Sequence, residues 1–315
     1  MPALSCFMLQ TLLFSLAPVF FVLGLGYVAG WRGWVDARAT DMLGAFIAQF
    51  ALPIALFLAI VSAPRELLAL ELLPTTIYGA VFLVVLALSA LWARRQGFSP
   101  ITAALYVLTV GMPNLGGIGL GLFQSLEGPG SEVSLAVANL VGTLTVMLFA
   151  FMRLEMQRGG HPSRALGAAL LKPMTILPTL GFAIALAGLP FPALATAMLK
   201  PLAQATGGAG MFLTGVILST QALRLTRASL LGVFLANILR PALAVALCLA
   251  LSLPPEMEGR IVVAMAIPAG FVGTILSAVY GQGGRESGGV LVATTFASIL
   301  TLPFWIAVAT LLFGV

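Results

Sequence analysis

Apolar runs of about twenty residues, long enough to cross a bilayer as helices, recur along this chain. Between them there is too little charge to coat a water-facing surface. The stretch LLPTTIYGAVFLVVLALSALW, 72–92, holds no charged side chain at all. Across the 315 residues 60% are hydrophobic and 8% charged, where an ordinary soluble domain carries about 25% charged residues. The only solvent that suits most of this surface is lipid. An all-α, polytopic membrane protein follows, because a chain crossing lipid must satisfy its backbone hydrogen bonds internally.

The runs give ten predicted transmembrane spans, near 10–30, 39–61, 72–93, 100–123, 133–153, 166–187, 194–222, 229–252, 260–281 and 288–312. The first lacks a basic start and recurs later as a repeat element, so it is predicted to be a retained helix and not a signal peptide. The most polar gap, RLEMQRGGHPSR at 153–164, divides the spans into two sets of five. The predicted organisation is a first repeat over 1–157, a short linker over 158–165 and a second repeat over 166–315. The halves match at one constant offset of 155: Pro18 with Pro173, Gly26 with Gly181, Gln49 with Gln204, Phe57 with Phe212, Pro113 with Pro268, and Gly128 with Gly283. Such an ungapped register marks an internal duplication. Five is odd, so the second repeat enters the membrane from the opposite side. The pair is then inverted, as in many secondary transporters.

The net charge of +5 does not imply nucleic acid, because the basic residues are scattered in the gaps as topology signals. Arg32, Arg38, Arg94, Arg95, Arg153, Arg158, Arg164, Lys172, Arg224, Arg227 and Arg285 fall on one side, and Arg65, Lys200 and Arg260 on the other. The richer side is predicted to be cytoplasmic. Both termini then lie outside the cell's inner (plasma) membrane.

Two spans are interrupted. VGMPNLGGIGLGLFQ, 110–124, carries Pro113, Asn114 and five glycines; its mate around Pro268 carries Gly270 and Gly273. Proline removes a backbone N–H and frees the carbonyl one turn earlier. In lipid such a break must be buried in protein or line a wet cavity. Interrupted spans at matching positions of inverted halves point to a midplane binding site. Each break exposes a helix N-terminus suited to an anion. The expected cradle is Asn114 with free N–H groups near Gly116, Gly117, Gly270 and Gly273, while Pro113 and Pro268 fix the crossover.

Four stretches resemble the auxin efflux carrier family, which includes plant auxin exporters and bacterial malonate-type carriers. They are APVFFVLGLGYVAGWRGWVD from Ala17, FIAQFALPIALFLAI from Phe46, NLGGIG from Asn114, and AIPAGFVGTILSAVYG from Ala266, followed by TTFASILTLPFW. One position departs. The family usually has proline two residues after the last glycine of the Asn-x-Gly-x-x-Gly motif; this chain has Gly121 there, and Pro113 ahead of Asn114. The resemblance implies ten helices in a sodium/proton-antiporter-like fold, with broken helices 4 and 9 crossing. It also implies a scaffold of spans 1, 2, 6 and 7, a moving domain of spans 3–5 and 8–10, and transport of small carboxylates.

Polar residues within spans add candidates. Arg240 lies mid-span and must face the protein interior, as an anion counter-charge, a lock on the crossover carbonyls or a structural pair. Gln49 and Gln204 line a cavity or join helices. Asn139 faces the Asn114 break or joins helices. Lys200 snorkels near a span end, and Asp41 opens span two. Glu127 and Glu132 flank an outer loop. Cys6 and Cys248 lack metal-ligand spacing and define no disulfide, and His161 sits in the linker. No nucleotide, metal or catalytic motif is present, so no cofactor and no enzyme activity are expected.

The function expected is a secondary transporter of a small organic anion, malonate-like or auxin-like, working by alternating access. The alternatives are a sodium-coupled symporter of the bile-acid type, and a channel or receptor without a transport cycle. The expected partners are the anion and the bilayer, with a second copy of the chain, as a homodimer, a further candidate.

Overall fold

The computed structural model describes residues 2–63, 71–127, 132–157, 159, 161–221, 226–251 and 253–314. Arg65, Gly128, Arg158 and Arg224, used above for topology and repeat, lie outside the described residues, as do the side chains of Cys6, Glu127 and Glu132.

The described chain is nearly all helix, with no strand and one isolated backbone bridge between Pro113 and Ala269. The helices are α1 (Pro2–Trp31), α2 (Ala37–Phe46), α3 (Leu52–Val61), α4 (Leu72–Arg95), α5 (Pro100–Gly111), α6 (Leu120–Glu127), α7 (Glu132–Gly142), α8 (Leu148–Gln157), α9 (Pro162–Leu170) and α10 (Pro173–Ala187). They continue with α11 (Ala193–Thr220), α12 (Arg227–Val233), α13 (Arg240–Leu251), α14 (Pro255–Ala266), α15 (Val272–Tyr280) and α16 (Gly284–Phe313). Single π-turns join α2 to α3 (Ile47–Ala51), α7 to α8 (Thr143–Met147) and α12 to α13 (Phe234–Leu239); a fourth, Leu115–Gly119, leads into α6. Such turns are frequent at functional sites.

Among the described residues six continuous helical stretches are long and apolar enough to cross a membrane: 37–61, 72–95, 133–157, 193–220, 227–251 and 284–313. A seventh forms if α9 and α10, bent by 69°, count as one. The protein is therefore a multi-pass membrane protein.

Local chemistry sets the helix ends. Gly97 takes a left-handed φ of 68° just past α4. Ser99 then caps α5, its Oγ accepting from the N–H of Thr102 at 3.2 Å, with Pro100 in the first turn, where no N–H is needed. The second span starts earlier than the sequence indicates. Asp36 caps it, Oδ1 accepting from the N–H of Ala39 at 2.7 Å. Asp41 therefore sits inside α2, not at its start.

Helix α1 packs along α11, and α3 packs on α10 and α11. Helices α4, α5 and α8 pack with α13, α15 and α16 in a second group. Where α1 crosses α11, glycines let backbone meet backbone. A Cβ on Gly215 would lie 2.0 Å from the carbonyl oxygen of Leu23, and one on Gly26 would lie 2.0 Å from that of Phe212. No side-chain rotation relieves a clash with backbone. Gly215→Ala is thus expected to force the helices apart and cost about 3 kcal/mol, the upper end for overpacking. Thermal unfolding in detergent, with Gly24→Ala as a control that meets nothing within 4 Å, measures it.

One buried acid escapes the sequence pattern. Glu71, one residue before α4, is 3% exposed. Its Oε1 accepts from the hydroxyl of Ser134 at 2.5 Å, while Oε2 is buried without a partner. Burial raises its carboxyl pKa above the usual carboxylate range, against the opposing pull of the Ser134 hydrogen bond and of Arg260. A raised pKa means that the folded state holds the proton more tightly than the unfolded state. The cost is absent below the ordinary carboxylate pKa and complete above the raised one. Wild type is expected to lose stability relative to Glu71→Gln as pH rises from the ordinary carboxylate range through the raised pKa, and the gap is expected to close in acid. Melting curves across that range provide the check.

Candidate functional site

The two interrupted helices meet at their breaks. α5 stops at Gly111 and α14 at Ala266, and the extended residues that follow run antiparallel past each other. The N–H of Asn114 donates to the carbonyl of Pro268 at 2.9 Å, and the N–H of Gly270 donates to that of Met112 at 2.7 Å. Glycines allow the approach. A Cβ on Gly270 would sit 3.1 Å from the Met112 carbonyl oxygen, and one on Gly273 only 2.0 Å from Thr109 Oγ1.

Asn114 is 3% exposed and its amide is used at both ends. Oδ1 accepts from the N–H of Gly117 at 3.1 Å, capping the turn that starts α6, and Nδ2 donates to Thr214 Oγ1 of α11 at 3.0 Å. Thr214 in turn donates to the carbonyl of Gly210 at 2.7 Å. Gly210 lies against Gly117, whose Cα a Cβ on Gly210 would approach to 2.9 Å.

These bonds correct the expected cradle. The N–H groups of Gly117 and Gly270 are not free: each is taken by the crossover itself, because the breaks are buried and must satisfy their own backbone. Gly117 and Gly273 serve close packing. Pro113, Asn114, Gly116, Asn139 and Gly270 do come together, lining one cavity of about 20 Å³ with Leu52, Met147 and Met174. That is room for about one water molecule. Asn139 thus faces the Asn114 break, its Nδ2 3.5 Å from Thr143 Oγ1. Pro268 does not line this cavity; its carbonyl holds Asn114.

Arg240 lies behind the crossover, 0% exposed. Nε donates to the carbonyl of Met265 at 2.8 Å, Nη1 to that of Val110 at 3.3 Å, and Nη2 to that of Ile267. Met265 lies in the last turn of α14, Ile267 directly follows that helix, and Val110 lies in the last turn of α5. One guanidinium therefore caps the negative ends of both broken helices, the place where a cation is favourable. Of the readings open in the sequence, the geometry is that of a lock on carbonyls.

Thr214, Asn237 and Thr294 were not among the residues that the sequence singled out. Thr294 Oγ1 accepts from the N–H of Ala269 at 3.3 Å, and Asn237 Nδ2 donates to the carbonyl of Thr294 at 2.9 Å. One signal was available: at the offset of 155, Asn114 falls on Ala269 and Asn139 on Thr294. The side-chain amides thus concentrate at the first break.

Two larger cavities flank the crossover. One, about 450 Å³, is lined by Asp41, Gly44, Ala48, Gln49, Lys172 and Ile275 among others, and shares Met147, Met174, Phe271 and Val272 with the small cavity. The other, about 440 Å³, includes Leu120, Gln124, Lys200, Ala203, Gln204 and Gly207. At the same offset Ala48 and Gln49 fall on Ala203 and Gln204, and Ile275 falls on Leu120. Gln49 and Gln204 therefore line separate cavities whose walls correspond at that offset.

The sequence profile of the family described as "Membrane transport protein" matches residues 11–165 and 162–306, nearly the whole chain. The chain belongs to that family. The resemblance to the auxin efflux carriers, which the family includes, is thereby borne out. This transporter is also 25% identical to the uncharacterized transporter YfdV of Escherichia coli (strain K12), over 96% of its own length and 99% of the relative's. The YfdV proteins of Escherichia coli O157:H7 and Shigella flexneri match it to the same extent.

Proposed function

We propose that the transporter moves a small organic anion by alternating access around the crossover, in two inverted five-helix repeats over 1–157 and 166–315. Ten spans result when α5 is joined to α6 and α14 to α15 across their breaks, with α1 and the bent pair α9–α10 each counted once. The observation that carries the reading is the paired crossover between two cavities with corresponding walls. Two interrupted helices tied backbone to backbone, with a cavity on each side, are what a carrier needs to expose one site alternately.

The site in this reading is the space bounded by Asn114, Gly116, Asn139 and Gly270. Asn114 and Asn139 supply amide donors without a charge, and the helix beginning at Leu115 points its positive end there. At about 20 Å³ this space is closed to a carboxylate, so binding requires Met147, Met174 and Phe271 to move. Those residues form the partition from the cavity holding Asp41 and Lys172. The excess of basic residues supports a cytoplasmic side for that cavity in this reading, and methionine suits a partition that must repack.

The crossover carbonyls weaken the sodium-coupled alternative. Those of Val110, Met265 and Ile267 are held by Arg240, and those of Met112 and Pro268 by backbone N–H groups. Few carbonyls at the breaks are left to ligate a cation.

Counterflow in proteoliposomes tests the reading. With unlabelled malonate inside, labelled malonate added outside is expected to accumulate transiently and without sodium; mono- and indole carboxylates are compared in the same assay. Passive equilibration with no overshoot for any of these acids, in protein shown to be folded, rejects a carrier of carboxylates.

A further inference from the structure

A further cavity of the transporter lies away from the crossover. About 610 Å³ in volume, it lies between the end of α4, the first two turns of α5 and α8, and its lining includes Leu91, Arg94, Ala103, Val107, Phe149 and Arg153. The lining residues of α5 are spaced at 100, 103, 104 and 107, which is one face of a helix. Along that face the wall is apolar. At the ends of α4 and α8 it carries two arginines, both exposed, and no acidic side chain lines it among the described residues.

We propose that this groove holds one anionic phospholipid, its phosphate between Arg94 and Arg153 and an acyl chain along Leu91, Ala103 and Phe149. Charge complementarity selects the occupant. Two guanidiniums sharing one groove repel each other and draw an anion, and guanidinium matches phosphate geometry in two-point hydrogen bonding. The apolar wall below them excludes a freely hydrated anion as the whole ligand, because that wall would stay uncovered. Basic pockets between spans on the cytoplasmic side are where anionic headgroups bind.

The position has a functional consequence. The acyl chain would rest on α5, the half-helix that ends at the crossover and whose last turn is held by Arg240 through Val110. An occupant there braces a short helix that has few turns of its own to hold it in place.

The test is thermal unfolding of the full chain in phosphatidylcholine nanodiscs with and without added phosphatidylglycerol, and separately with inorganic phosphate. Four proteins are compared: wild type, Arg94→Gln/Arg153→Gln, Ala103→Trp, which fills the groove but keeps both arginines, and the control Arg38→Gln. Phosphatidylglycerol is expected to raise the melting temperature of wild type and of Arg38→Gln. Most of that rise is expected to vanish in the double variant and in Ala103→Trp, and inorganic phosphate is expected to give none. An equal rise in either groove variant overturns the proposal. So does its loss in Arg38→Gln, which marks a general surface effect, or its reproduction by inorganic phosphate, which marks a free-anion site.

Discussion

Replacing Arg240 with glutamine is expected to loosen both broken helices together and to stop transport. The side chain gives three hydrogen bonds to main-chain carbonyls at the ends of α5 and α14. Hydrogen bonds from a charged donor contribute about 1.5–3 kcal/mol each, and a buried carbonyl left without a donor adds its own desolvation cost. Glutamine is shorter, has one NH₂ and cannot reach both helices. A loss of about 4 kcal/mol is therefore expected. Arg240→Lys is expected to fare little better, since a compact ammonium lacks the planar fork that spans three acceptors. Two measurements separate the lock from a substrate counter-charge. Thermal unfolding is expected to fall in both variants. In whatever transport survives, the maximum rate is expected to drop while KM stays nearly constant. If Arg240→Lys instead retained the wild-type rate and melting temperature, with only Arg240→Gln raising KM, Arg240 would be acting by its charge on the substrate.

Converting Asn114 to aspartate separates the fold of the crossover from its chemistry. Aspartate keeps an oxygen where Oδ1 accepts from Gly117, so the cap on the α6 turn survives. It loses the donor to Thr214, a change of about 1 kcal/mol. It also sets a carboxyl at the proposed anion site, protonated while the site is closed and negatively charged once the site opens to water. Like charges brought together on binding cost several kcal/mol, so affinity for a carboxylate is expected to fall roughly a hundredfold or more, the equivalent of about 3 kcal/mol. Folded protein is expected in near-normal yield with uptake abolished. Wild-type uptake of a carboxylate by Asn114→Asp would remove Asn114 from the site.

What the sequence determined was the class of solvent, the position of the helices and the place of the breaks. Apolar length and scarce charge leave no other fold class. The helix boundaries agree with the apolar runs to within a few residues at most ends, because each run is set by bilayer thickness and its own flanking residues. Pro113, Asn114 and Pro268 could be singled out because proline and glycine act locally on the backbone.

Tertiary structure decided how each polar group is used. Nothing in the sequence near Gly270 says that its N–H is taken by Met112, or that Arg240 reaches carbonyls 25 and 130 residues away in sequence. The same holds for Glu71, which lies in a gap by sequence and is buried by Ser134 in space. Hydropathy follows the covalent chain, whereas a hydrogen bond depends on which helices cross. The crossing is fixed by glycine contacts such as Gly26 with Phe212 and Gly210 with Gly117, pairings that exist only once the helices are packed.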